Sequence, residues 1–172
     1  MKQIRIVMIV AALATSVSSA TIVPTAGADD DGSQIFEGKL PPDYRDWRLI
    51  SVAHEAGNLN DIRAILGNDA AIDAYRDGKL PFPDGAIIVR IAWNYVRSEE
   101  NNKVFGHPQS FVAGAPTNVQ FMVKDSQEYA STGGWGFAQF NDGKPAHMAV
   151  QDCFACHVPV KDRDFVFTRY SP

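Results

Sequence analysis

The chain has 172 residues, 45% of them hydrophobic and 21% charged, with a formal net charge of −4. That length and balance describe a single domain able to bury a core, and exclude a low-complexity or disordered chain. The acidic surplus argues against nucleic acid and anionic lipid as partners; it suits a basic redox partner, and is equally an ordinary solubility device.

Lys2 and Arg5 precede an apolar run, Ile6 to Leu13, and then small residues ending in Ala26-Gly27-Ala28. This is the pattern of a signal peptide over residues 1–28, with Ala20 an earlier cleavage alternative, and the run is too short to span a bilayer. No later segment is long and apolar enough for a membrane span, so the mature protein is expected to be exported to the periplasm. Residues 29–43 read as a flexible N-terminal segment: Asp29 to Ser33 is acidic and contains glycine, and Leu40-Pro41-Pro42-Asp43 stops the chain. The folded domain is then expected over 44–172.

Trp47 to Ala53 reads as a strand, and Asp61 to Leu66 as a strand or helical turn broken by Gly67-Asn68. Asp69 is expected to cap a short helix in which Ile72 and Tyr75 share a face, closed by Gly78. After the rigid turn Leu80 to Gly85 comes the clearest strand. Ile87, Val89, Ile91, Trp93 and Tyr95 alternate with Ile88, Arg90, Ala92 and Asn94, which sets one large apolar face against a second face carrying Arg90. Ser98 to His107 is polar and reads as loop. Asn118 to Lys124 is a further strand, Asp125 or Ser126 caps a short helix through Tyr129, and Trp135 to Phe140 is a strand turned by Asn141-Asp142-Gly143. An extended Phe165 to Tyr170 follows. Strands interleaved with short helices make an α+β fold, mainly an antiparallel β-sheet with short helices.

Near the C-terminus stands Cys153-Phe154-Ala155-Cys156-His157, which holds both cysteines of the chain. The spacing is the attachment signature of haem c. Each thiol adds to one vinyl group of a single porphyrin, and the adjacent His157 imidazole is presented to the iron as proximal ligand. A redox disulfide or half of a zinc site would use the same cysteine spacing. Structural zinc needs four ligands, however, and His107 and His147 form no second paired motif; a thioredoxin-like pair belongs to a βαβ unit that is absent here. Export to an oxidising compartment agrees with thioether formation.

From Tyr44 to Tyr170 the chain resembles the cytochrome P-460 family, which includes the cytochromes c′-beta. The resemblance rests on Tyr44-Arg45-Asp46-Trp47, Phe82-Pro83-Asp84-Gly85, Val123-Lys124-Asp125-Ser126, Gly133-Gly134-Trp135-Gly136-Phe137, the late haem motif and Phe165-Val166-Phe167-Thr168-Arg169. It implies a periplasmic, mainly β homodimer carrying one haem, with Cys153 and Cys156 as attachment points, His157 as metal ligand, an open distal position and a redox partner protein. It also implies a small nitrogen ligand or gas. P-460 members oxidise hydroxylamine, and c′-beta relatives bind nitric oxide and carbon monoxide. In P-460 proteins a lysine is joined to the macrocycle, five residues beyond the Asp-Gly turn. Here that place holds Arg90, whose guanidinium is a poor nucleophile, while Lys79, Lys103 and Lys124 stand elsewhere. The expectation is a homologue without the cross-link.

Arg90 has two readings, a distal or propionate hydrogen-bond donor and a structural ion pair. Hydroxylamine chemistry needs a base, and Asp142 and Asp152 are the nearest acids in sequence; turn formation and helix capping are their structural alternatives. Met122, Met148, His54, His107 and His147 are the candidates for a sixth iron ligand, and Phe82, Phe105, Phe111 and Phe121 for an aromatic cap of the c′-beta kind. Three functions therefore stand: nitrogen-compound chemistry, non-catalytic gas binding and simple electron transfer.

Overall fold

A computed structural model describes residues 32–171. The expected signal peptide lies outside the described residues. Six strands run in sequence order across one antiparallel sheet: β1 (Arg48–Glu55), β2 (Asp61–Gly67), β3 (Ile87–Arg97), β4 (Phe111–Lys124), β5 (Trp135–Asn141) and the two-residue β6 (Lys144–Pro145). Helices α1 (Asp69–Arg76), α2 (Glu99–Phe105) and α3 (Val150–His157) sit in the connections. The fold is α+β, as the strand and helix spacing implies.

The alternation in β3 decides the architecture. Val89 and Ile91 face one way and join Leu66, Phe121, Ala138 and Phe140 in one core. Ile88 faces the other way and joins Ile50, Ile65, Phe137 and Trp135 in a second. The first core is covered by the chain before β1. Phe36, Tyr44 and Trp47 each meet the Phe121 ring edge-on, at 5.1, 5.7 and 6.4 Å between centroids. Burying a ring such as Phe121, 1% exposed, contributes about 1.5–3 kcal/mol. The segment Gly32–Gly38, read from sequence as part of a flexible tail, is a kinked pair of 3-10 turns whose Phe36 belongs to this covering layer.

The second face carries α1, α3 and the C-terminal segment. Asn68, rather than Asp69, caps α1: its Oδ1 accepts from the backbone N–H of Ala71 at 3.1 Å and of Ile87 at 3.0 Å. One side chain thereby ties the helix start to the start of β3. Asp69 lies within the first turn, where its charge favours the helix N-terminus.

Three expectations change. Residues 99–105 form a helix, because Ser98 Oγ accepts from the Asn101 N–H at 3.2 Å and Gly106 closes the last turn at φ 77°. These are ordinary caps on a segment without an apolar stripe. Strand β4 begins at Phe111, well before Asn118. It accommodates Pro116 opposite Trp93 between register shifts, where a residue without an N–H is tolerated. The expected helix through Tyr129 is a turn, with Asp125 Oδ1 accepting from Gln127 and Glu128 N–H at 2.9 Å each, followed by a 3-10 turn at Ala130–Thr132. Among the described residues no helix is long and apolar enough to cross a membrane.

Candidate functional site

Between the second sheet face, α3 and the C-terminal segment lies a cavity of about 700 Å³. Such a volume is within the range of cofactor and ligand sites. Its apolar wall includes Ile65, Ile88, Met122 and Phe137, and Cys153, Cys156 and His157 border it from α3. At spacings of three and four residues these three side chains share one side of the helix.

His157 is fixed. Its Nδ1 is 2.7 Å from the carbonyl oxygen of Phe165, so the ring proton resides there and Nε2 carries the free lone pair. The rings of Phe137 and Phe167 lie 5.0 Å from the imidazole. Burial pushes the imidazole below its ordinary value, opposed by the Phe165 carbonyl, and so favours the neutral, ligating form. Cys153 moves the other way: burial first, then the charges of Asp152 and Cys156, push its thiol up.

The alternative uses of the two cysteines fare poorly against this geometry. A reactive redox pair is favoured by a thiol with a lowered pKa, and burial acts in the opposite direction on Cys153. Structural zinc needs four ligands; among the described residues no group of three or more His, Cys, Asp or Glu side chains gathers to hold a metal ion. Two free thiols and an oriented imidazole bordering an apolar cavity fit a covalent porphyrin.

Arg90 lines the same cavity and resolves its two readings into one arrangement. Its Nη2 donates to Asp61 Oδ2, and its Nη1 to Asn118 Oδ1 at 2.5 Å and Gln120 Oε1 at 3.0 Å. Arg63 grips the same carboxylate, Nε to Oδ1 and Nη2 to Oδ2, at 2.8 Å each. Gln120 Nε2 donates onward to Gln139 Oε1 at 2.6 Å. Arg90 is thus both a cavity residue and an ion-pair partner, and its buried Nε has no protein partner. Burial and the neighbouring Arg63 lower its pKa, against the pull of Asp61.

Asp152 also lines the cavity, exposed in the first turn of α3. It does not cap that helix: Ala149 occupies the cap position, without a side-chain bond. Asp142 is not among the cavity-lining residues. It stands at φ 50° in the β5–β6 turn, followed by Gly143 at φ 75°, the pair of left-handed residues that a tight hairpin requires. Of the sixth-ligand candidates, Met122 and Met148 border the cavity. His54 instead stacks on Tyr95 at 3.9 Å. The phenylalanines do not assemble into a cap. Phe82 packs on Trp135 and Tyr75, Phe121 belongs to the opposite core, and Phe105 and Phe111 are exposed.

The sequence reading passed over Asp61 and Arg63. Their signal was period two: Arg63 and Ile65 share a strand face, and Ile65 stands opposite Arg90 in the β2–β3 register. A family model described as Cytochrome P460 matches residues 41–168. No curated protein matches the chain.

Proposed function

The chain belongs to the cytochrome P460 family of haem cytochromes, and from that premise we propose that it is an exported, periplasmic monohaem c-type cytochrome whose iron binds or acts on a small nitrogen compound, hydroxylamine or nitric oxide. Cys153 and Cys156 would hold the haem through two thioethers, and His157 Nε2 would be the ligand that the chain offers to its iron. One observation carries this reading: the imidazole locked through Nδ1 to Phe165 O at 2.7 Å, beside two free thiols, at the wall of an apolar cavity. When bound there, a haem supplies a redox-active Lewis acid for small ligands.

The chain's own residues then divide the work. Ile65, Ile88, Met122 and Phe137 exclude water from the macrocycle. Arg90 and Arg63 share the buried charge of Asp61, and Arg63 also pairs with the exposed Glu55 at 3.6 Å, which leaves the Arg90 guanidinium as the hydrogen-bond donor on the wall for a propionate or a ligand oxygen. A cross-link of the lysine type is absent from this reading. Arg90 stands at the relevant place, and no lysine is among the residues lining the cavity. Lys124 is committed to Asp164. Asp152, which lines the cavity from α3, is the candidate acid for proton exchange in this reading, whereas Asp142 stands in its turn outside the cavity lining.

A non-catalytic, c′-beta-like gas-binding role is the second reading. It is favoured by the fact that one of the two cavity-lining carboxylates, Glu55, is paired with Arg63, which leaves Asp152 alone as a candidate for the base that hydroxylamine oxidation needs. Homodimerisation and a redox partner protein remain proposals drawn from the family. Intact mass of the exported protein tests the core of the reading. The expected value is the chain cleaved near Ala28 plus one haem; a colourless product carrying zinc or a disulfide overturns it. A high-spin ferrous spectrum that shifts with nitric oxide supports an open iron, and hydroxylamine turnover separates the two readings. A low-spin spectrum indifferent to carbon monoxide leaves electron transfer only.

A further inference from the structure

The chain returns from α3 to the imidazole through an unusual stretch of backbone. Asp164 and Phe165 both occupy the left-handed region, at φ 51° and 63°. Residues other than glycine adopt it rarely, and keep it only where the surroundings impose it. Here they do. The Asp164 carboxylate accepts from Lys124 Nζ at 2.8 and 2.9 Å, and its Oδ2 also accepts from the Phe82 N–H at 2.9 Å. Its carbonyl accepts from Trp135 Nε1 at 2.8 Å. The two charged side chains are only 5% and 7% exposed. Lys124 Nζ gives a further hydrogen bond to Gly133 O at 3.1 Å and lies over the Trp135 ring. The Phe165 ring then fills the space above Gly133, where a Cβ would fall 2.2 Å from it.

What this grip delivers is the Phe165 carbonyl, 2.7 Å from His157 Nδ1. We propose that the buried Lys124–Asp164 pair is a positioning device for the axial imidazole. It pins the Phe165 carbonyl on Nδ1 and so sets how strongly Nε2 donates to iron. The inference rests on His157 being the axial ligand. A firm acceptor on one ring nitrogen fixes the tautomer and ring orientation and raises the basicity of the other. A buried ion pair gains little net stability over apolar residues of similar volume. Its worth here is that Lys124 ends the longest strand, so the imidazole is referenced to the sheet rather than to a loose turn.

The test uses holoprotein with Asp164→Asn and Lys124→Met. In the diamagnetic low-spin ferrous state, with carbon monoxide added, the His157 ring protons of the wild type must show the large ring-current shift of an axial ligand. Its absence overturns the axial assignment and this proposal with it. Given that shift, both variants should exchange the Nδ1 proton with solvent at least about tenfold faster, and should move the ferric–ferrous equilibrium about tenfold toward ferrous, the low end of outer-shell effects. Folded variants in which neither quantity moves overturn the proposal even if they melt earlier, because the pair then serves stability alone. If neither variant matures, the wild-type proton decides: protection like that of a core amide supports the clamp, and exchange like that of a free imidazole overturns it.

Discussion

Replacing Asp61 with asparagine asks whether one buried charge holds the guanidinium pair on the cavity wall. Asp61 is 2% exposed and accepts from both Arg63 and Arg90. The asparagine keeps the shape and loses the charge, leaving Arg90 without an ionic partner and Arg63 with only the exposed Glu55 at 3.6 Å. Removing one partner of a buried pair costs about 3–5 kcal/mol. The two guanidinium side chains are 14% and 16% exposed; water therefore relieves part of the penalty, and the low end, about 3 kcal/mol, applies. In a domain of this size each kcal/mol lowers the midpoint by about 4 °C, so the variant should melt about 12 °C earlier. Thermal unfolding followed by circular dichroism, wild type beside variant, provides the measurement. The triple variant Asp61→Leu, Arg63→Met, Arg90→Met should recover most of the loss, because apolar residues of similar volume need no compensating charge. A fall of under about 1 kcal/mol, the value of an exposed pair, would refute the reasoning and place the cluster in water.

Gly133→Ala combines a positive φ of 68° with a Cβ 2.2 Å from the Phe165 ring, whereas Gly85→Ala has φ 84° and open space. Urea unfolding should show losses of about 2–4 and about 1–2 kcal/mol respectively; equal losses would mean that Phe165 simply moves aside. Burial pushes the Tyr75 phenol well above its ordinary value of 10.0, with the charge of Arg163 opposing. The unfolded chain therefore loses this proton first, and stability contributed by Tyr75 falls as pH rises above about 10. Ultraviolet titration should leave one tyrosine un-ionised until the fold opens, and Tyr75→Phe should flatten the alkaline decline; a phenol that titrates freely in the folded state would contradict this. The Ser126 hydroxyl and then its backbone N–H, donating to Asp84 at 2.7 and 2.8 Å, hold that carboxyl below its ordinary value. A depressed acid contributes stability above its unfolded value of about 3.9, lost as pH falls through the folded value. Ser126→Ala should make the acid limb of a stability–pH curve shallower below about pH 4, and an unchanged limb would exclude Asp84 as its source.

Strand β3 was legible because Ile87, Val89, Ile91, Trp93 and Tyr95 recur at every second residue, and the Cys153–Cys156–His157 cluster because its two thiols and imidazole lie together in sequence. Helix α2 was not, since Ser98 and Gly106 also suit a loop and the charges of Glu99, Glu100 and Lys103, though well placed at its ends, come without an apolar stripe. The start of β4 was obscured by Gly114 and Pro116, both poor strand formers that a register shift tolerates. The site divides the same way. Its thiols and imidazole are local to α3, but the Asp61–Arg63–Arg90 cluster exists only once the β2–β3 register is known. The Lys124–Asp164 pair joins residues forty apart, with no periodicity to announce it.

The two-sided sheet has a consequence for assembly in the cell. The side sealed by Phe36, Tyr44, Trp47, Phe121 and Phe140 closes with protein side chains alone, so it can stand independently of the other side. Regions of one protein open independently when their contacts are separate, and here the contacts are divided by the sheet itself. On the proposed function, the chain can therefore offer its thiols to an incoming haem from a rigid backing, as a frame is hung before the glass is set.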